Sequence, residues 1–158
     1  MKRYNFLLLL GILLFIGGGC QKKADNSPAE MHWDRDMCER CVMAISERKY
    51  AVQIVNPATH KHYKFDDIGC AVLWLDEEHI PWGEQALIYI TDAKTGKWID
   101  ARSAIYTDDS ITPMAFGFAA YTKETLPAGH HTVDFKEVAR KIPLIEKANT
   151  QKVTGAIQ

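Results

Sequence analysis

The sequence has no cluster of basic residues. Its 158 residues contain 19 Lys and Arg against 20 Asp and Glu, which gives a formal net charge of −1 at pH 7. A protein that binds nucleic acid needs a basic face to neutralise phosphates. The charge balance therefore predicts no nucleic-acid partner.

The motifs of ordinary catalysis are also missing. The sequence shows no nucleophile–base–acid arrangement, no glycine-rich phosphate loop and no paired catalytic carboxylates. Hydrolytic and phosphoryl-transfer enzymes depend on such groups. We therefore expect a protein that is not an enzyme.

The apolar stretch near the start, residues 6–16, is too short to span a bilayer comfortably. It follows two basic residues and precedes three glycines and Cys20, which is the order of an export signal. A Cys after small residues predicts a lipobox, with a signal peptide at 1–19 and a lipid on Cys20. Gly17 departs from the aliphatic residue usual at its position. An ordinary cleaved signal or an uncleaved anchor are the alternatives, and all three place the domain outside the cytoplasm.

The rest of the chain divides by composition. Residues 20–35 are polar and predict a flexible tether. Residues 36–142 are enough for one compact domain. Residues 143–158 have too little apolar periodicity for a packed element and predict a poorly ordered tail.

Apolar residues alternate with others at 50–54 and again at 62–65, with turn residues between, which predicts a β-hairpin. Asp66 and Asp67 can cap a helix over the apolar run that follows, ending near residues 78–79. We predict further strands at 86–91, 98–106 and 115–122 and a second helix at 133–142. The fold class is therefore α+β, with two small β-β-α-β-type units at about 36–92 and 93–142 in one domain.

The run Cys38-Glu39-Arg40-Cys41-Val42-Met43 places two thiols and a thioether within six residues. Soft sulfur donors select Cu(I) over metal ions that prefer oxygen. In an extended segment, residues i and i+2 point to the same side. Cys41 and Met43 are therefore predicted to bind one Cu(I).

Other donors are less sharply defined by the sequence. Cys38 has three possible roles: a further thiolate ligand, a disulfide with Cys41, or neither. Met114 follows Pro113 and is predicted as an extra ligand from the second unit. Cys70 lies in the apolar helix and is interpreted as a small buried hydrophobe.

Three other kinds of site use the same cysteines. A c-type haem site requires His directly after the second Cys, where Val42 stands. A structural zinc site needs four ligands, and His60, His62 or Cys70 would have to complete the set. The strongest alternative is a thiol–disulfide oxidoreductase. Its Cys pair normally begins a helix after a strand, whereas here a polar tether precedes the pair.

Four segments carry a resemblance to a known family: residues 37–43 (MCERCVM), 64–70 (KFDDIGC), 97–101 (KWIDA) and 112–120 (TPMAFGFAA). They resemble the NosL family, copper-binding lipoproteins that assist maturation of nitrous-oxide reductase. The resemblance implies two β-β-α-β units, Cu(I) binding and an anchor in the outer membrane facing the periplasm. It also implies two partners, an ABC-transporter-type assembly complex and the reductase itself.

Two residues depart from the family pattern. Val42 stands where Gly is common, and Ala115 where Gly often follows the Met. Neither change removes a donor atom. We expect both to stiffen the site.

Overall fold

The structure, a computed structural model, describes residues 25–155. Within these residues, two α-helices and seven strands form an α+β domain with two antiparallel sheets, which confirms the predicted fold class. No helix within residues 25–155 is both long enough and apolar enough to cross a membrane. In chain order the elements are β1 (Val52–Val55), β2 (His62–Phe65), α1 (Ile68–Glu77), a 3-10 helix (Gly83–Gln85), β3 (Leu87–Thr91), β4 (Trp98–Asp100), β5 (Ile105–Thr107), β6 (Ala119–Tyr121), β7 (Thr132–Val133) and α2 (Phe135–Gly155).

The predicted hairpin and first helix are confirmed. Strands β1 and β2 are antiparallel, with Val52 opposite Phe65. The Asp67 carboxylate accepts a hydrogen bond from the Gly69 N–H at 3.0 Å, which caps the start of α1. The first sheet has the order β2-β1-β3-β4, so β1 lies inside it and is buried along its whole length.

The segment of residues 25–30, here called the N-terminal strap, lies against this sheet. The buried amide of Gln53 accepts a hydrogen bond from the Ala29 N–H at 2.8 Å and donates one to the Ala29 carbonyl at 2.9 Å. His62 and Lys64 also hydrogen-bond to strap carbonyls. The prediction of a flexible tether over 20–35 is therefore wrong from Asp25 onward, because these long-range partners hold the polar residues.

The predicted strand at 98–106 is divided into two. The carboxylate of Asp100 accepts hydrogen bonds from the N–H groups of Arg102 at 2.7 Å and Ser103 at 3.2 Å, which forms a turn. Strand β4 therefore pairs with β3 in the first sheet, whereas β5 belongs to the second sheet, of order β6-β5-β7. The boundary between the two units consequently lies after Asp100 and not at residue 92.

The predicted strand at 115–122 is shorter in the structure. Ala115 and Gly117 have φ values of 58° and 87°, which interrupt an extended chain, so β6 begins only at Ala119. Strand β7 was not predicted. Among the described elements the second unit runs β5, β6, β7 and then α2.

The second helix also differs from its predicted end at Ile142. It continues through Pro143 to Gly155, although proline normally disfavours a helix interior. Tertiary contacts support the turn after the proline, because Ile145 packs against the core and Glu146 binds Arg40 at 2.7 Å. Because these partners are distant in sequence, the local pattern of residues 143–158 predicts a poorly ordered tail instead of a helix.

The two units meet tightly at Gly69, in the first turn of α1. A Cβ added to Gly69 would lie 2.1 Å from a ring carbon of Phe116, itself buried. Only a residue without a side chain allows this ring to pack on the helix. The residues around Gly69 and Phe116 belong to two of the segments that carry the NosL resemblance.

We expect Gly69→Ala to lower the free energy of unfolding by about 1–3 kcal/mol, because the added methyl forces the Phe116 ring to move. Gly83→Ala is the control, since its added Cβ would meet only Leu75 at 3.7 Å. Urea unfolding of both variants measures the difference. Equal stability of the two variants would contradict the close packing at Gly69.

Candidate metal centre

The sulfur-containing run forms a tight loop and not the extended segment that the sequence suggested. Met37 pairs with Ala44 in an isolated antiparallel bridge. Inside this bridge, the Cys38 N–H donates to the Met43 carbonyl at 2.9 Å, and the Val42 N–H donates to the Cys38 carbonyl at 3.0 Å. The expectation that Cys41 and Met43 share one side of a strand is therefore wrong in its premise, because Cys41 lies in the turn.

Val42 completes the loop in a left-handed conformation, with φ of 59°. This conformation is sterically unfavourable for a β-branched residue and is readily adopted by glycine. Ala115 has φ of 58°. Both positions at which the family resemblance implies glycine thus have positive φ, so the side chains present there hold a strained backbone.

The loop lies over the junction between β2 and α1. Its Glu39 N–H donates to the Lys64 carbonyl at 2.9 Å, which joins the loop to β2. Asp66 follows that strand directly, and Cys70 occupies the first turn of α1. The Asp66 carboxylate and the Cys70 thiol at this junction therefore lie next to the loop.

Four donor groups meet at this place. The ligand atoms of Cys38, Cys41, Asp66 and Cys70 all lie within 4.8 Å of one another. Cys38 and Cys70 are buried and Cys41 is partly exposed. The predicted burial of Cys70 is confirmed, but the interpretation of Cys70 as a core residue apart from the site is not, because its sulfur is a member of the cluster.

The three thiols differ in acidity. The hydrogen bond that the Cys70 thiol donates to Cys38 lowers the pKa of Cys38 to about 7. Burial opposes this shift, and hydrogen bonds from backbone N–H groups add to it. Burial raises the pKa of Cys41 to about 12. The pKa of Cys70 is raised because its thiol hydrogen is donated to Cys38 and because it is buried. Since a thiolate is the form that binds metal, Cys38 is the first ligand available near neutral pH.

Asp66 is the acceptor at the cluster. One of its oxygens, Oδ2, lies 3.4 Å from Cys41 Sγ and accepts the thiol hydrogen bond. The other, Oδ1, is buried and has no hydrogen-bond partner among the described residues. From the sequence, Asp66 is predicted only to cap a helix, a role that Asp67 performs. The signal that could have identified Asp66 is its position four residues before Cys70, at the junction between a strand and a helix.

Arg40 fixes the tip of the loop. Its guanidinium binds both oxygens of Glu77 at 2.9 Å and one oxygen of Glu146 at 2.7 Å. Glu77 ends α1 and Glu146 lies on α2. A bidentate ion pair, such as the one between Arg40 and Glu77, adds geometric specificity. Together with the bond to Glu146, it lets both helices determine where the loop lies.

The two methionine candidates occupy different surroundings. Met43 is 52% exposed and lines an open groove of about 410 Å³ together with Asp66 and Ile111. Met114 is partly buried against the core, and its N–H donates to Asp67 at 3.2 Å. Met43 therefore lies at the solvent side of the cluster, whereas Met114 joins the second unit to the start of α1. Both remain predicted ligands.

Four histidines that could offer nitrogen ligands are bonded elsewhere in the domain. His60 and His62 hydrogen-bond to the N-terminal strap. His130 and His131 pair with Asp109 and Asp108 on the surface. Cys20, the predicted lipidation site, and the predicted signal peptide lie outside the described residues.

We expect Val42→Gly to raise the free energy of unfolding by about 0.5–1 kcal/mol. Relief of the left-handed strain, about 1–2 kcal/mol, exceeds the backbone entropy that glycine loses. Little burial is lost, because Val42 is 67% exposed. Ile111→Gly is the control, an exposed residue without positive φ, and should lower stability. Chemical unfolding of both variants tests the opposite signs.

Comparison with known proteins shows a shared fold. No protein-family model matches the sequence, and no curated protein sequence matches it. The chain is similar to the crystal structure of the copper chaperone NosL from Shewanella denitrificans, with a TM-score of 0.55 and 19% sequence identity. The match covers 70% of this chain and 94% of that chain. The chain that carries the three-thiol cluster therefore has a NosL-like fold.

Proposed function

We propose that this protein is an exported Cu(I) carrier that supplies copper for the assembly of nitrous-oxide reductase. The observation that carries the proposal is the meeting of three thiols within 4.8 Å, in a fold shared with a copper chaperone. Thiolate sulfur is the donor that selects Cu(I). Copper is the cargo of this protein, and no step of covalent chemistry is needed.

The three thiols would have different roles in binding Cu(I). Cys38 is the thiol that most readily gives a thiolate, because hydrogen bonding from Cys70 lowers its pKa to about 7. As Cys41 and Cys70 bind the metal, their thiol protons are released to solvent. Two of the three sulfurs are buried, so water has access mainly from the side of Cys41.

Met43 has the position of an exchange ligand. Its exposed thioether lines the groove beside Asp66, which in turn contacts Cys41. A thioether binds Cu(I) without needing to lose a proton, so it can hold the ion before the thiols close on it. In our proposal a partner's sulfur ligand replaces Met43 and then Cys41, and Cu(I) passes across without release to water.

The proposed location and partners follow the resemblance of the sequence to NosL lipoproteins. Lipidation of Cys20 would hold the protein at the outer membrane, facing the periplasm. The ABC-transporter-type assembly complex and the reductase are the proposed partners. An anchored carrier has a higher effective concentration at membrane-bound partners than a diffusing one.

A thiol–disulfide oxidoreductase is the second candidate, supported by the lowered pKa of Cys38. The geometry favours it less, because a reactive thiol of such enzymes needs exposure, and Cys38 is 1% exposed. The pair also lies in a hairpin loop and not at the start of a helix. Reduction of insulin disulfides by the purified dithiol would support this candidate.

We expect Cys70→Ser and Cys41→Ser each to lower the Cu(I) affinity by more than about tenfold, since loss of outer partners alone costs 10–100-fold at metal sites. Competition with a Cu(I) chelator measures the affinity on reduced protein. Met43→Ala should mainly slow transfer to the chelator, with Met37→Ala as the control for a second exposed methionine.

Two controls accompany the copper titration. Circular dichroism shows whether each variant folds. Oxidation of the thiols should abolish Cu(I) uptake, and reduction should restore it, because a disulfide offers no thiolate. If Cys70→Ser keeps the wild-type Cu(I) affinity while Cys41→Ser loses it, the copper ligands belong to the loop and Cys70 is not one of them.

The role in assembly predicts a cellular result. In a host that makes nitrous-oxide reductase, deletion of this protein at limiting copper should lower both the copper content and the activity of the reductase. Cys41→Ser should reproduce the deletion through the site. Cys20→Ala should weaken delivery through lost proximity and be partly rescued by overexpression. Normal reductase copper in the deletion strain would refute the assembly role.

A further inference from the structure

The buried carboxylate of Asp66 is not explained by the fold. The residue is 3% exposed, yet its Oδ1 has no hydrogen-bond partner among the described residues. A buried carboxylate oxygen without a partner is costly, because its hydration is lost without replacement. The fold would avoid this cost unless another group fills the position.

The neighbouring Asp67 shows what a structural carboxylate looks like in the same place. It is also buried, but one oxygen accepts from the Gly69 N–H at 3.0 Å and the other from the Met114 N–H at 3.2 Å. Asp67 thus caps α1 and joins the two units. Asp66 has only a weak thiol donor on one oxygen, so capping does not account for it.

The Asp66 carboxylate belongs to a set of four donor groups, the other three being thiol sulfurs. Tetrahedral zinc has Zn–S bonds of about 2.3 Å and Zn–O bonds of about 2.0–2.2 Å, which place an S and an O ligand roughly 3.6 Å apart. Asp66 Oδ2 lies 3.4 Å from Cys41 Sγ, and all four donors lie within 4.8 Å of one another. Small side-chain movements therefore bring the set to tetrahedral spacing.

We propose that Asp66 is the oxygen ligand of a tetrahedral divalent-metal site, in which Zn²⁺ binds to Cys38, Cys41, Cys70 and Asp66. Cu(I) uses the sulfurs alone, since a carboxylate is too hard a donor for it. Zn²⁺ accepts sulfur and oxygen together and completes four-coordination with Asp66. The centre therefore accepts two metals, and Asp66 determines the affinity for the divalent one.

This inference shares the thiols of the proposed copper site but does not depend on copper delivery. A divalent ion bound to Asp66 supplies the buried carboxylate with the partner that the protein does not, and its greater charge offsets three thiolates and a carboxylate better than Cu(I) does. Zinc would therefore hold the loop and α1 together when copper is absent. Incoming Cu(I) would displace zinc, after which the carboxylate is free of metal.

The test uses the reduced full-length protein and Co²⁺ as the spectroscopic probe for Zn²⁺. Wild-type protein should give sulfur-to-cobalt charge-transfer bands and the intense visible bands of a tetrahedral ion, and one equivalent of Zn²⁺ should remove them. Weak octahedral bands without charge transfer would overturn the proposal. This measurement needs no variant, so it is independent of variant folding.

Two carboxylate variants then distinguish the effect of losing Asp66 as a ligand from the effect of losing a negative charge in the groove. Asp66→Asn should lower Zn²⁺ affinity at least about tenfold more than it lowers Cu(I) affinity, because only the divalent ion loses a ligand while both ions lose the partner of Cys41. Glu47→Gln removes an exposed carboxylate that lines the same groove and should leave both affinities within about threefold. Equal Zn²⁺ affinity in Asp66→Asn and wild type would overturn the assignment of Asp66. If the wild-type protein does not bind Cu(I), the proposed copper function is refuted, whereas the proposed zinc site is not.

Discussion

The contact between the Cys38–Met43 loop and the first turn of α1 is the constraint on which the candidate site depends. Cys38 and Cys70 are both buried at this contact, so neither thiol can be satisfied by water. Each must find its partner in the other, in Asp66 or in a metal. The loop keeps its place through a backbone bond to β2 and through the bonds of Arg40 to both helices. A metal centre is thus built where a loop, a strand and a helix meet.

The four donors come from the first unit, yet the second unit supports them. Phe116 packs on Gly69, and the Met114 N–H binds the carboxylate that caps α1. Both contacts act on the turn that carries Cys70. Two of the segments that resemble NosL, residues 37–43 and 64–70, therefore supply the donor atoms, and a third, residues 112–120, fixes the helix from which one donor projects. This division explains why a stretch without cysteine, residues 112–120, belongs to the same resemblance.

Local signals were sufficient for the first unit. The alternation in β1 and β2 and the cap at Asp67 depend on neighbouring residues, and the structure has them where the sequence predicts them. Two of the differences arise from distant partners. Glu146 extends α2 beyond Pro143 by binding Arg40, and Cys70 joins the cluster only because the loop folds over it. The left-handed Val42 also could not be expected from its side chain, which disfavours that conformation.

The N-terminal strap has a mechanical consequence. Its bonds to Gln53, His62 and Lys64 fasten the chain to the first sheet from about residue 27 onward. If Cys20 carries the proposed lipid, only a few residues separate the lipid from the domain, and at 3.3–3.6 Å per residue they reach at most about 25 Å. The strap residues that bind the first sheet would then stay within about 25 Å of the lipid. A partner would have to come to the copper, since the copper could not travel far to the partner.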